Sequence, residues 1–291
     1  MLGEVLTAIV TPFRSDGSVD LDAFRSLAGF LVGNGSDGLV VAGTTGESPT
    51  LEDDERLALF EAAVQTVGDR ATVVAGTGTY STAHSVHLTT EAAQIGVDAF
   101  LVVTPYYNKP PPAGIVAHFQ AICEASDRPV IVYNIPQRVV INIEPETMTL
   151  LAGIPNVTTV KQATTDLEQA KHIVDLGLDL YAGNDDLILP FLEVGGVGGI
   201  CVYTHLVGPQ VKEMVSRYRG GDVAGARDIE QALAPVVEAL AVTTNPIPVK
   251  AALAMAGHDV GGLRAPLVPA TEAERARIRQ GLERSDVLVA A

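Results

Sequence analysis

The chain has 291 residues, is 47% hydrophobic but only 5% aromatic, and contains no tryptophan, so a core of Val, Leu, Ile and Ala in a large α/β enzyme scaffold is expected rather than an aromatic recognition surface. A formal charge of -16, with no stretch that gathers Lys and Arg, argues against nucleic acid and anionic membranes as partners. Cys123 and Cys201 stand alone and the 6 histidines show no ligand spacing, which points away from a disulfide framework and from a metal site.

The first residues, Met1-Leu2-Gly3-Glu4, lack a basic region, and the apolar stretch Val5–Val10 is too short for a signal peptide or a membrane span, so the expected compartment is cytoplasmic. From there, apolar runs alternate with polar loops and amphipathic stretches. Strands are predicted near 5–10, 38–43, 71–76, 98–103, 129–134, 157–161, 178–182 and 198–202. Helices are predicted between them: one from the acidic cap around Asp20, one from Thr50 with acids in its first turn, one from Ser81, then 112–125, 144–152, 165–176 and 185–193.

This repeat predicts a (β/α)8 TIM barrel. The competing doubly wound sheet would place a Gly-x-Gly-x-x-Gly turn after the first strand, where this chain has Thr11-Pro12-Phe13-Arg14-Ser15-Asp16-Gly17-Ser18. Beyond Val202 the pattern is helical at 208–219, 223–242, 248–256 and 271–286. The chain therefore divides into a barrel, 1–222, and a C-terminal helical region, 223–291, packed on it.

In such a barrel the chemistry sits where strands give way to loops. The run Asn156-Val157-Thr158-Thr159-Val160-Lys161 ends in a lysine, with Val157, Thr159 and Lys161 alternating onto one face. Of the five lysines, Lys171 and Lys212 lie in polar helical stretches and are expected to be solvated, whereas Lys161 alone closes a β-run. Its ammonium either snorkels to water or is held among apolar groups, where lost hydration favours the neutral, carbonyl-attacking amine.

Gly43-Thr44-Thr45-Gly46-Glu47-Ser48 reads either as a threonine-capped turn or as a nest for a carboxylate. Thr104-Pro105-Tyr106-Tyr107-Asn108-Lys109 is stiffened by prolines and suits a paired-tyrosine contact or an interface. Tyr133 closes the fifth strand and could exchange protons with a lysine adduct on the adjacent strand, and Arg138 beyond it suits bidentate capture of a carboxylate. The alternatives are a core tyrosine and a surface charge. Asp185 and Asp186 could be helix caps, and the glycines of 195–199 either admit a ligand or permit close packing.

Taken together, Gly43–Ser48, Thr104–Pro110, Tyr133-Asn134-Ile135-Pro136-Gln137-Arg138, Val160-Lys161 and Asn245-Pro246-Ile247-Pro248-Val249-Lys250 resemble the dihydrodipicolinate synthase family, within the superfamily of pyruvate-dependent class I aldolases and lyases. The resemblance spans nearly the whole chain. It implies condensation of pyruvate with L-aspartate-4-semialdehyde to 4-hydroxy-tetrahydrodipicolinate, in diaminopimelate and lysine biosynthesis, by a homotetramer built from tight dimers.

By the same resemblance Lys161 is the Schiff-base lysine, and Tyr133, Thr44 and Tyr107 form a proton relay, with Tyr107 supplied by the neighbouring subunit. Thr45 holds the pyruvate carboxylate, Arg138 meets the semialdehyde carboxylate, and Gly183 and the Ile200 carbonyl shape the pocket floor. No cofactor or metal is implied, because the imine between Lys161 and pyruvate is the electron sink.

Two departures matter. Gln162 follows the lysine where the family more often has an acid. At positions matching the lysine-inhibited members' allosteric cleft stand Arg56, Tyr80 and His84, which implies weak or absent inhibition by lysine. The rival readings within the superfamily are N-acetylneuraminate lyase and a 2-keto-3-deoxy sugar acid aldolase. Arg138 favours a short acceptor bearing a carboxylate over a sugar.

Overall fold

The structure, a computed structural model, describes residues 2–288. The apolar runs form parallel strands β1 (Val5–Ala8), β2 (Gly38–Val41), β3 (Thr72–Gly76), β4 (Ala99–Val103), β5 (Val130–Asn134), β6 (Val157–Gln162), β7 (Asp179–Ala182) and β8 (Gly198–Cys201). They pair in sequence order and close with β8 against β1, giving the (β/α)8 barrel the periodicity predicts.

Both faces of each strand are buried, which is why the strands read as near-continuous apolar runs. Leu6, Ala8, Val40, Val74, Leu101, Ile131, Tyr133, Tyr181 and Ile200 fill the barrel interior. On the outside, Val5, Leu39, Val73, Phe100, Val132 and Leu180 form a second layer with helix residues such as Phe24, Phe60, Phe119 and Ile173.

That outer ring comprises α1 (Leu21–Gly33), α2 (Asp53–Val67), α3 (Thr82–Ile95), α4 (Pro112–Cys123), α5 (Pro136–Val139), α6 (Pro145–Ala152), α7 (Leu167–Asp175), α8 (Ile188–Glu193) and α9 (Thr204–Arg219). Three further helices, α10 (Val223–Leu240), α11 (Ile247–Met255) and α12 (Glu272–Arg284), follow it. Helix α10 packs along α9 and α12, and α11 lies against α9 and α12. Among the described residues no helix is long and apolar enough to cross a membrane.

Local chemistry starts most helices where expected. The Asp20 carboxylate accepts from the N–H groups of Asp22 and Ala23, and Ser81 accepts from His84 N–H. Helix α2 differs: Thr50 is not its cap. The Thr50 hydroxyl is turned back to the Glu47 carbonyl, and the Glu55 carboxylate instead accepts the Glu52 N–H at 3.0 Å, starting the helix at Asp53.

Tertiary pairing overrides two other local expectations. A register shift between Val130 and Ile131, which pair with Val157 and Thr159, interrupts the alternation of β6. Val157 therefore joins the outer layer with Val160 instead of sharing a face with Lys161. Lys212 is not simply solvated: its ammonium meets Asp37 Oδ2 at 2.6 Å, and the same carboxylate oxygen accepts the N–H groups of Glu4 and Val5. Burial raises the Asp37 carboxyl, but the Lys212 ammonium and the two N–H donors outweigh it and hold the group below the ordinary carboxylate range. This staple fastens α9 to the start of β1.

Candidate active site

At the C-terminal mouth of the barrel lies a cavity of about 320 Å³, lined by residues that include Thr44, Thr45, Tyr133, Arg138, Lys161 and Gly183. Six of the eight residues singled out in the sequence thus meet in one pocket although they come from two strands and three post-strand segments. Lys161 keeps 5% of its exposure and Tyr133 keeps 4%. They are direct neighbours across the β5–β6 ladder, and the Lys161 ammonium sits 4.3 Å from the centre of the Tyr133 ring.

The Tyr133 backbone is held from the other side. Its carbonyl accepts both the N–H and the hydroxyl of Thr104, at 3.1 and 3.2 Å. Lysine and tyrosine are therefore presented on adjacent, rigidly laddered strands, a firmer platform than a loop.

The Gly43–Ser48 loop is wound on itself. The N–H groups of Gly46, Glu47 and Ser48 donate to the carbonyls of Gly43 and Thr44, so these three do not form a free anion nest. What the loop turns toward the cavity is Thr44 and Thr45. Gly183 borders Lys161's side of the floor, where an added Cβ would stand 2.8 Å from the Ala163 Cβ, so only glycine lets β7 leave the sheet so close to β6.

Two of the eight lie elsewhere. Ile200 is fully buried in the barrel interior, below the cavity, and Val202 lines the wall above it. Tyr107 is 94% exposed, at φ 69°. Within one protomer it does not reach the cavity. The glycines of 195–199 serve packing: Gly199 N–H donates to the Glu4 carbonyl at 2.9 Å, and a Cβ on Gly199 would stand 2.6 Å from the Ile188 side chain.

Asp185 proves to be a cap of an unforeseen kind. Its carboxylate accepts the N–H groups of Val202 and Tyr203, at 2.7 and 3.0 Å, and so anchors the entry to α9 from 17 residues away. It shares the cavity wall with Lys161. Enclosure at the barrel mouth pushes its carboxyl up to about 6, opposed by these N–H donors and by the Lys161 charge. Ile135, Asn184, Asp186, Val237, Leu240, Ala241 and Asn245 complete the wall. Of these, Asn245 had a visible signal, since its segment is one of the motifs that carry the resemblance.

Gln162 points away from the cavity. Its Oε1 accepts from Asn134 Nδ2 at 3.1 Å, and its Nε2 donates to Thr164 Oγ1 at 2.9 Å, so this position uses an amide as both acceptor and donor where an acid could only accept. Arg56 is buried and donates to the Ser48 carbonyl at 2.6 Å. His84 Nε2 engages the Asp53 carboxylate at 2.8 Å. Among the described residues no group of three or more His, Cys, Asp and Glu side chains is arranged to hold a metal ion.

Comparison with known proteins agrees with this geometry. The family model described as "Dihydrodipicolinate synthetase family" matches residues 1–285. The 4-hydroxy-tetrahydrodipicolinate synthase of Moorella thermoacetica is 48% identical over 289 residues, covering 98% of this chain and 99% of that protein. The crystal structure of the Cyanidioschyzon merolae enzyme with lysine bound superposes with a TM-score of 0.96 at 41% identity, covering 99% of each chain. That of the chloride-inhibited Acinetobacter baumannii dihydrodipicolinate synthase, complexed with pyruvate, superposes at 0.96 with 34% identity, covering 99% of this chain and 100% of that one. Barrel, pocket and relatives lead to one conclusion: the chain belongs to the dihydrodipicolinate synthetase family and is a condensing enzyme of that type.

Proposed function

We propose that the protein condenses pyruvate with L-aspartate-4-semialdehyde to 4-hydroxy-tetrahydrodipicolinate, the reaction by which the relatives are named, in diaminopimelate and lysine biosynthesis. The observation that carries this reading is the Lys161–Tyr133 pair, an enclosed amine with a phenol beside it, at the mouth of a barrel whose rim carries Arg138.

Lys161 Nζ adds to the pyruvate C2 carbonyl, and loss of one water, with proton help from Tyr133, leaves a protonated imine. The imine draws electron density from C3, so a methyl proton departs and an enamine forms. Enamine C3 attacks the aldehyde carbon of the acceptor, whose oxygen takes a proton and becomes the hydroxyl. The acceptor's amine then attacks C2, closing the ring and releasing Lys161. Pyruvate plus semialdehyde thus give the cyclic product plus one water, and the imine supplies the electron sink without a cofactor.

In this reading Thr45 holds the pyruvate carboxylate and Arg138 the acceptor carboxylate. Thr44 joins Tyr133 to Tyr107, which arrives from the neighbouring subunit of a dimer, two dimers making the homotetramer. The sugar-acid aldolase alternative lacks support from Arg138, since a polyhydroxylated acceptor calls for neutral partners.

Borohydride reduction with pyruvate, followed by peptide mass mapping, tests the reading. A reduced pyruvyl adduct is expected on Lys161 and is expected to vanish in Lys161→Ala. An adduct on another residue, or none on the folded protein, overturns it.

A further inference from the structure

The segment 244–250, the end of the connection from α10 and the first turn of α11, touches three parts of the catalytic mouth. Asn245 Nδ2 donates to Thr45 Oγ1 at 3.0 Å. The Asn245 backbone carbonyl accepts from Arg138 Nη2 at 3.0 Å. Beneath them, the Lys250 ammonium and Glu47 Oε1 meet at 2.6 Å with side-chain exposures of 3% and 0%. Glu47 Oε2 also accepts the Arg264 N–H at 3.0 Å, and Lys250 donates to the Gly262 carbonyl at 2.7 Å. An ion pair this deep holds only while both partners stay in place, since removing either strands a buried charge.

From these contacts we infer that Asn245 is a positioning residue that sets the pyruvate-binding hydroxyl of Thr45 and links it to Arg138, with the Lys250–Glu47 pair fastening the strut from below. This deepens, and rests on, the reading of Thr45 as the pyruvate carboxylate site. A threonine hydroxyl has one proton to give and two lone pairs to offer. Because Asn245 donates into a lone pair, the Thr45 proton is left for a carboxylate oxygen and its rotor is aimed. The link to Arg138 runs through the Asn245 main chain, so truncating the side chain separates the two functions.

The test measures the pyruvate concentration that half-saturates borohydride-trapped Lys161, together with KM for both substrates and kcat. In Asn245→Ala the pyruvate requirement is expected to rise about tenfold, the effect of one lost hydrogen bond to a binding group, while acceptor KM and kcat move less than threefold. Asn245→Asp is expected to be worse than Asn245→Ala for pyruvate, because its carboxylate captures the Thr45 proton and repels the substrate's charge. In a Thr45→Val background Asn245→Ala is expected to add nothing.

Thermal midpoints check that each variant is folded, and Asn245→Ser, read in the same way, serves if Asn245→Ala is not. Uniform loss of kcat and both KM values in folded variants, or effects of Thr45→Val and Asn245→Ala that multiply, overturns the inference. If Thr45→Val raises the pyruvate requirement and Asn245→Ala does not, the inference fails while the reading of Thr45 stands. If Thr45→Val itself leaves that requirement unchanged, the reading fails.

Discussion

Arg138 stands at the rim of the cavity, exposed, with Nη2 donating to the Asn245 carbonyl at 3.0 Å and to the Thr244 hydroxyl at 3.5 Å, while Nε and Nη1 have no protein partner among the described residues. A guanidinium held through Nη2 keeps its charge and its Nε and Nη1 N–H groups to meet a carboxylate at the rim. Lys161, by contrast, is enclosed, and nothing about the first covalent step involves the rim. Arg138→Ala is therefore expected to leave the pyruvyl adduct on Lys161 intact while lowering turnover with aspartate semialdehyde by roughly a hundredfold, the loss of a charge-assisted pair. Steady-state kinetics beside mass mapping of the adduct checks this. Unchanged turnover would remove Arg138 from the site.

Between elements, His205 binds the ends of two strands that meet at barrel closure. Its Nε2 accepts the Val10 N–H at 3.2 Å, past the end of β1, and its Nδ1 donates to the Val202 carbonyl at 2.7 Å, past β8. That pattern needs a neutral ring. Burial pushes His205 down to about 4, and burial does the same to His118, packed between α3 and α4. Below the ordinary histidine value of 6.5 the unfolded chain takes up protons that the native chain refuses, so stability falls as pH falls toward 4.

Asp185, raised to about 6, works in the opposite sense over the same range and offsets part of the loss. The net expectation is a loss of about 2–3 kcal/mol between pH 7 and pH 5. Urea midpoints across that range measure it, and His118→Gln is expected to make the slope shallower. A flat profile in the parent protein would show that these rings are protonated in the native state.

At the scale of the molecule, the segment that carries Tyr107 does not line the catalytic cavity of its own protomer. Tyr80 and Tyr106 stack edge to face at 5.4 Å behind it, giving a firm base. A tyrosine 94% exposed on such a base fits insertion into another copy, as the proposed relay requires. Tyr107→Phe is expected to lower turnover at least tenfold without loss of fold. Dissociating and reassociating it with Lys161→Ala protomers is expected to restore about a quarter of parental activity, because in each mixed dimer the Lys161-bearing site receives an intact Tyr107. Absence of complementation in assembled mixed dimers would place the tyrosine outside the site.

What residue order alone determined is everything set by near neighbours: the alternation of apolar runs and amphipathic stretches, the caps at Asp20 and Ser81, and the lysine and tyrosine at strand ends. These depend on side-chain period and on hydrogen bonds a few residues long, which a single chain displays openly. Tertiary structure alone decided the contacts between distant segments. The shift in β5–β6 pairing moved Val157 outward, Asp185 became the anchor of α9, Lys212 was drawn to Asp37, and Asn245 came to rest on Thr45 across 200 positions. Closing a barrel fixes which loops share its mouth, and the energy of a buried donor, acceptor or charge depends on what closure brings beside it.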